Sequence, residues 1–310
     1  MTSADVGTYV HFVLERVLKK AYNPDDGRLK PFTKKEILDS INEISEEFIQ
    51  SIGFIPAPSM LYEISRYRNI AYSMLLSIFA EFNDSSFKII AMEQSLSTYK
   101  SGALKPMQID LNLEDDFKSK IILSGDIDRI DAYENENGIY LRIVDYKTGQ
   151  NTFSIDRISE GNELQLPVYL FSAASEENKL HPIFKNESNK PIHPASALFM
   201  SSTEKEGKIS TFRSGFILSD EEILHAASNS LDPKVILGIK RDSKTKELVM
   251  GKSGISEDGI KEIKKTLVDT VSGVAKSLYS GKAERSPSSD ACQYCKVRST
   301  CPVAAKIKKY

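Results

Sequence analysis

Cysteine is scarce, long apolar runs are missing, and neither sign of charge dominates this chain of 310 residues. Its three cysteines all fall in the last twenty residues, as Cys292, Cys295 and Cys301. An odd number grouped at one end argues against a secreted disulfide scaffold and for a thiolate metal site in a reducing cytoplasm. No uncharged apolar stretch approaches ~18 residues, and Asp5 and Glu15 stand where a leader would need a basic and then an apolar segment, so neither membrane spanning nor secretion is expected. Lys and Arg number 41 against 43 Asp and Glu, a net charge of -2, which leaves no global field to gather nucleic acid. Contact with DNA would need a local cleft and bound cations. With 40% hydrophobic and 27% charged residues, the chain reads as globular, of one or two domains, and disordered, collagen-like and coiled-coil classes are excluded.

What is present begins with helices. Val10, Val13, Leu14, Val17 and Leu18 form one stripe over residues 5 to 21, with Asp5 as its cap and His11 at its edge. Thr33 and Glu36 spell a capping box ahead of Leu38, Ile41, Phe48 and Ile52, and Gly53 and the Pro56/Pro58 pair end that segment. A third helix is expected from about 59 to 82, with Leu61, Ile64, Ala71, Leu75, Ile78 and Phe82 facing inward. Period-2 patterning follows over 87–98, 120–131 and 138–147, predicting three strands, the last two joined as an antiparallel hairpin by a short polar turn. Helices at 162–175, 219–228 and 256–278, a strand at 195–201, and polar excursions around 181–194 and 240–255 complete the pattern. The expected division is a main domain over 1–285 and a cysteine-containing segment over 286–310, Pro/Ser-rich before the cysteines and basic after them, with Lys306, Lys308 and Lys309.

Chemistry concentrates on the hairpin. Strand alternation places Ile139, Leu141, Ile143, Asp145 and Lys147 on one face, so an apolar face ends in a carboxylate and an ammonium roughly 6.6 Å apart along the strand. On the preceding strand Ile122, Ser124, Asp126, Asp128 and Ile130 share a face, with Gly125 allowing close backbone approach. Asp128 is expected beside Asp145. Two adjacent carboxylates at the edge of a core repel one another unless a cation neutralises them, and hard oxygen donors favour Mg²⁺ or Mn²⁺ over zinc. Asp126 and Asp131 are structural alternatives, Asp131 pairing with Arg129, and Glu93 is either a further acidic contributor or a solvated strand-end carboxylate. A lone Asp-x-Lys is more often a surface ion pair, and a lone helical histidine is usually structural.

The run Gly125-Asp126-Ile127-Asp128-Arg129-Ile130-Asp131, followed by Val144-Asp145-Tyr146-Lys147-Thr148-Gly149, resembles the G-x-x-D and D-Y-K-[ST]-G motifs of RecB-type nucleases in the PD-(D/E)XK superfamily. Gln165 and Tyr169 match that family's Q-x3-Y motif, one helical turn apart, and Gly7 to His11 match its G-x-x-x-H motif. The cysteine pattern Cys292-x2-Cys295-x5-Cys301-Pro302 is similar to that of AddB-type subunits of AddAB helicase-nucleases, in which three C-terminal cysteines join one far upstream around a [4Fe-4S] cluster. Thiolates also suit zinc, and spacing alone does not separate the two. No upstream cysteine precedes Asp5, so the chain is expected to be a piece of a longer polypeptide with an incomplete cluster site. Gly251-Lys252-Ser253 lacks the leading glycine of a phosphate loop, so no ATPase is expected of this chain.

The resemblance implies an α/β, restriction-endonuclease-like core: a mixed sheet flanked by helices, with helical insertions. It implies Mg²⁺-dependent (or Mn²⁺-dependent) hydrolysis of DNA, with Asp128, Asp145 and Lys147 catalytic, His11, Asp128, Asp145 and the Tyr146 carbonyl around the metal, and Gln165 and Tyr169 holding the strand. It further implies an exonuclease of double-strand break repair that partners an AddA-type subunit and cuts the 5′-terminated strand. The competing readings are a DNA-binding or scaffolding module that kept the fold without turnover, and a zinc adaptor, for which His225 is too remote a fourth ligand.

Overall fold

Three helices lead the chain and pack on one another. In α1 (Ser3–Ala21) the stripe Val10, Val13, Leu14, Val17 and Leu18 is fully buried, as its spacing requires, but the helix starts at Ser3, so Asp5 lies within its first turn and is not the cap. At α2 (Lys34–Ser51) the capping box forms: Glu36 N–H donates to Thr33 Oγ1 at 3.2 Å, and Thr33 N–H donates to Glu36 Oε2 at 2.7 Å. α3 (Pro58–Asp84) opens on Pro58, which has no N–H to leave unsatisfied. Leu38 and Leu61, expected inside, are 44% and 42% exposed. Each sits at the rim of an arc that neighbours widen on its other side, Ile37 and Ile44 in α2 and Ile70, Met74 and Ile78 in α3. The computed structural model describes residues 3–53, 55–112, 118–282, 292 and 295–302. The basic run ending in Lys309 and most of the Pro/Ser-rich stretch lie outside them.

A six-stranded mixed sheet follows, formed by β1 (Lys88–Leu96), β4 (Gly125–Glu134), β5 (Ile139–Thr148), β6 (Ile192–Lys205), β7 (Lys208–Leu218) and β10 (Gly254–Ile255), in that spatial order. The β4–β5 hairpin is antiparallel, as the polar turn predicts, and Asn135 Oδ1 caps that turn by accepting from the N–H groups of Asn137 and Gly138. β5 and β6 run parallel, which demands a crossover, and α4 (Gln165–Ala173) supplies it. Alternation along β5 then divides the core. Ile139, Leu141 and Ile143 share one core cluster with α4, α5 (Glu221–Ala227) and α6 (Glu257–Tyr279), while Val144 and Tyr146 pack under α1, α2 and α3. Helices therefore cover both faces.

The sheet departs from the sequence expectation in particular places. Residues 120–131 do not form one strand. β3 (Lys118–Leu123) pairs with β2 (Met107–Asn112) in a separate two-stranded sheet, the chain breaks at Ser124, and β4 begins at Gly125. Ile122 is 44% exposed and shares no face with Asp128, because pairing to β2 takes β3 out of the main sheet. The long β7 forms where the sequence pattern assigns no element, the short β8 (Ile239–Arg241), β9 (Leu248–Met250) and β10 lie in or at the edge of the polar excursion expected around 240–255, and the strand expected at 195–201 extends over all of β6. Around 181–194, Phe184 is buried in a 3-10 turn, so that excursion contributes to the core.

Candidate active site

β4 and β5 pair with Arg129 opposite Val144 and Ile130 opposite Ile143, a register that brings Asp128, at the start of one strand, beside Asp145, near the end of the other. On the other side of β4, β1 pairs Met92 with Arg129 and Gln94 with Ile127, which brings Glu93 alongside Asp128. α1 lies over the end of β5. His11 Nε2–H donates to the Tyr146 carbonyl at 2.9 Å, and His11 Nδ1 stands 3.3 Å from Asp128 Oδ1. The other Asp128 oxygen accepts the Tyr146 N–H at 2.6 Å.

His11, Glu93 and Asp128 each offer a ligand atom within 4.8 Å of the others. That donor set, two carboxylates and an imidazole, suits a hard or borderline divalent cation. The Nε2–H bond to the Tyr146 carbonyl fixes the imidazole tautomer and aims Nδ1 at the carboxylates, as an outer partner does for a metal-binding histidine. The carbonyl keeps a second lone pair. Glu93 adopts φ 52° within its strand, a conformation that costs a non-glycine residue on the order of 1–2 kcal/mol. A cleft of about 430 Å³ opens beside the cluster, lined by Gly7, Thr8, His11, Phe12, Glu15 and Glu93. A larger cleft of about 560 Å³, lined in part by Tyr22, Arg28, Lys88 and Lys190, contains none of the motif residues.

Asp145 is buried and turned toward a second group. Lys147 Nζ lies 2.6 Å from its Oδ2 and donates to Gln165 Oε1 at 3.0 Å. The Gln165 amide donates to Asp145 Oδ1 at 2.7 Å and to the Tyr169 hydroxyl at 3.2 Å. Gln165 and Tyr169 are one turn apart on α4, so a single helix face completes a chain from carboxylate to ammonium to amide to phenol.

Crowded acids set the electrostatics. Burial and the Asp128 charge hold the Asp145 carboxyl above the usual carboxylate range, with Lys147 opposing them. Burial and Asp128 likewise push Glu93 up to about 7. For His11, burial pulls the imidazole down, but the hydrogen bond and charge of Asp128, with the Tyr146 carbonyl, outweigh it and raise the group to about 9. The site holds protons that a divalent cation would displace.

Asp126 and Asp131 fall outside this cluster. Asp126 is largely exposed and bonded to Ser95, while Asp131 is buried between Arg129 and Arg142. Glu93, left open between ligand and solvated carboxylate in the sequence, lies within ligand reach of His11 and Asp128; only the pairing of β1 with β4 reveals it. Cys292 and Cys301 are partly buried, Cys295 is exposed, and none is in a disulfide.

Residues 1–302 match the PD-(D/E)XK nuclease superfamily. The chain belongs to that superfamily. This PD-(D/E)XK domain is also similar to proteins named as the B-type subunit of an ATP-dependent helicase/deoxyribonuclease. It is 27% identical to that of Ruminiclostridium cellulolyticum over 97% of this chain and 27% of the relative. For Clostridioides difficile the identity is 27% over 99% of this chain and 28% of the relative, and for Clostridium acetobutylicum 27% over 84% and 22%. The chain thus spans about a quarter of the length of these relatives, and aligns with the first two over nearly all of its own.

Proposed function

We propose that this PD-(D/E)XK domain is a Mg²⁺- or Mn²⁺-dependent deoxyribonuclease, the nuclease part of a helicase-nuclease that processes DNA ends in double-strand break repair. The observation that carries the reading is the adjacency of two groups: His11, Glu93 and Asp128 converging within 4.8 Å, and Lys147 held between Asp145 and Gln165 at the neighbouring strand end. A divalent cation at the first group would supply Lewis acidity and a nucleophilic water at neutral pH. His11 and Asp128 hold that position, with Asp145 and the Tyr146 carbonyl as further oxygen donors beside it. Lys147 orients the attacking water and stabilises negative charge as the new P–O bond forms and the old one breaks, the water releasing one proton to solvent and the departing oxygen taking one from it. Gln165 and Tyr169 grip the sugar-phosphate backbone, which fixes register without reading sequence.

The named relatives support DNA as substrate, and the resemblance to AddB-type subunits supports a cytoplasmic complex with an AddA-type partner and exonucleolytic action on the 5′-terminated strand. In such a complex Cys292, Cys295 and Cys301 of the 286–310 segment would furnish three of the four thiolates of a [4Fe-4S] cluster, the fourth coming from outside residues 1–310. Iron and sulfide analysis of this chain alone, set against a longer form that carries the further cysteine, tests that part: cluster content only in the longer form is expected, and equal iron in both would overturn it.

Digestion of end-labelled single-stranded DNA in Mg²⁺, with Asp128→Ala and Lys147→Ala alongside, tests the reaction. Cleavage by the parent chain and loss in both variants is expected. Equal cleavage by all three, or none by the parent in either Mg²⁺ or Mn²⁺, would sink the proposal.

A further inference from the structure

On the opposite side of the hairpin from α4, five ionisable side chains are shut away beneath α3. Arg129 is 0% exposed, and its guanidinium reaches Asp131 Oδ1 at 3.0 Å, Glu81 Oε1 at 3.4 Å and the Tyr146 hydroxyl at 3.1 Å. Arg142 lies 2.8 Å from each of the same two acids, and Arg213 lies 2.6 Å from Glu81 Oε2. Phe82 covers the guanidiniums of Arg129 and Arg142, and Phe87 covers Arg142 from another side.

Three guanidiniums therefore face two carboxylates. Such a cluster is a poor source of stability, since the cost of stripping water from the ions offsets their attraction and apolar side chains of equal volume often pack as well or better. Its place in the chain is what distinguishes it. Arg129 directly follows Asp128, and Tyr146 stands between Asp145 and Lys147. The peptide and side chain of Tyr146 are gripped at three points: its N–H by Asp128, its carbonyl by His11, and its hydroxyl by Arg129.

We propose that Arg129 is a positioning residue for the cation site, acting through the Tyr146 hydroxyl to set the Tyr146 peptide, and through that peptide the relative placement of His11 and Asp128. A phenol anchored at its far end restrains the Cα it hangs from, and with it the two peptide groups that flank Tyr146: the one whose N–H orients Asp128 and the one whose carbonyl orients His11. Glu81 and Asp131 hold the Arg129 guanidinium, and Arg142 and Arg213 hold those acids. The consequence for cation binding rests on the proposed nuclease function; the coupling of Arg129 to the Tyr146 peptide does not.

The charge count separates this role from a purely structural one. Arg129→Met removes one guanidinium and leaves two facing two carboxylates, so the fold should tolerate it, and Tyr146→Phe removes a single oxygen. Both variants are compared with the parent chain by thermal unfolding, by Mn²⁺ titration calorimetry, and by hydrogen exchange of the Tyr146 amide in EDTA. Melting temperatures close to the parent, half-saturating Mn²⁺ raised about tenfold or more, an unchanged KM for DNA at saturating Mn²⁺, and faster exchange at the Tyr146 amide are expected. Parent-like Mn²⁺ affinity and amide protection in both variants would overturn the proposal, as would a collapse in melting temperature of both with no separate effect at the site. If the parent itself neither binds Mn²⁺ nor cuts DNA, the nuclease reading fails, and the Tyr146 amide alone still decides whether Arg129 sets that peptide.

Discussion

Tyr169 occupies the space that a side chain on Gly125 would need: a Cβ built there would lie 2.8 Å from both Cε1 and the hydroxyl of Tyr169. The glycine of the G-x-x-D motif and the tyrosine of Q-x3-Y, 44 residues apart in the chain, are two sides of one contact. Tyr169 in turn accepts from Gln165, which holds both Asp145 and Lys147, so the glycine is linked to the strand end across α4.

Gly125→Ala should therefore displace a ring that is only 8% exposed and has little room to yield. We expect the chain to stay folded while kcat/KM on single-stranded DNA drops about tenfold, or ~1.4 kcal/mol. Parent-like kinetics in Gly125→Ala would show that the contact is incidental to activity.

Asp145→Ala should reduce cleavage by roughly 10³-fold, the scale of losing a group that acts in the transition state. Stability without metal should hold or rise, because the Asp145 carboxylate is buried beside the Asp128 charge, and removing it relieves that repulsion. Denaturant unfolding in EDTA together with a cleavage assay checks both. A strongly destabilised variant would mean that the Lys147 and Gln165 contacts outweigh the repulsion.

Tyr169→Phe keeps the ring against Gly125 and removes only the acceptor for the Gln165 amide. The expected loss is ~1 kcal/mol, about fivefold in kcat/KM. A loss as deep as that of Asp145→Ala, with DNA affinity intact, would assign Tyr169 a role in the chemical step.

The metal-free protein should lose stability as pH rises from 6 to 9. His11, raised from 6.5 to about 9, contributes stability that is complete below 6.5 and fades as pH passes through 9. Glu93, raised from 4.5 to about 7, acts in the same direction: the folded chain keeps a proton that the unfolded chain releases, so stability falls as pH rises from 4.5 to 7 and stays at the lower level above 7. Mn²⁺, by displacing these protons, should flatten the decline. Melting temperatures at pH 6 and 9 in EDTA and in Mn²⁺ test this, and a melting temperature that climbs with pH in EDTA would contradict it.

Local periodicity makes part of this site legible in the amino-acid order. Alternation along residues 139–147 places Asp145 and Lys147 together, helical spacing places Gln165 beside Tyr169, and the short polar turn pairs β4 with β5. The Thr33–Glu36 capping box and the α1 stripe are legible for the same reason, since each is a relation between residues a few positions apart. Even there the rims of the helices mislead, as Leu38 and Leu61 show.

Residue order is enough to say which positions carry donors and which neighbours share a face. Only the assembled fold decides who meets across the chain. Glu93 meets His11 and Asp128 only because β1 adds to the free edge of β4, and Ile122 loses its expected partners only because β2 captures β3. Asp131 pairs with Arg129 as local alternation suggests, yet the cluster that surrounds them needs Glu81 from α3 and Arg213 from β7, more than 80 residues apart from one another in sequence. Periodicity records how a segment divides its own faces between water and core. Which distant segment supplies the other half of the core is set by the closing of long loops and the packing of whole elements, and it leaves no repeating mark on the residues that will touch.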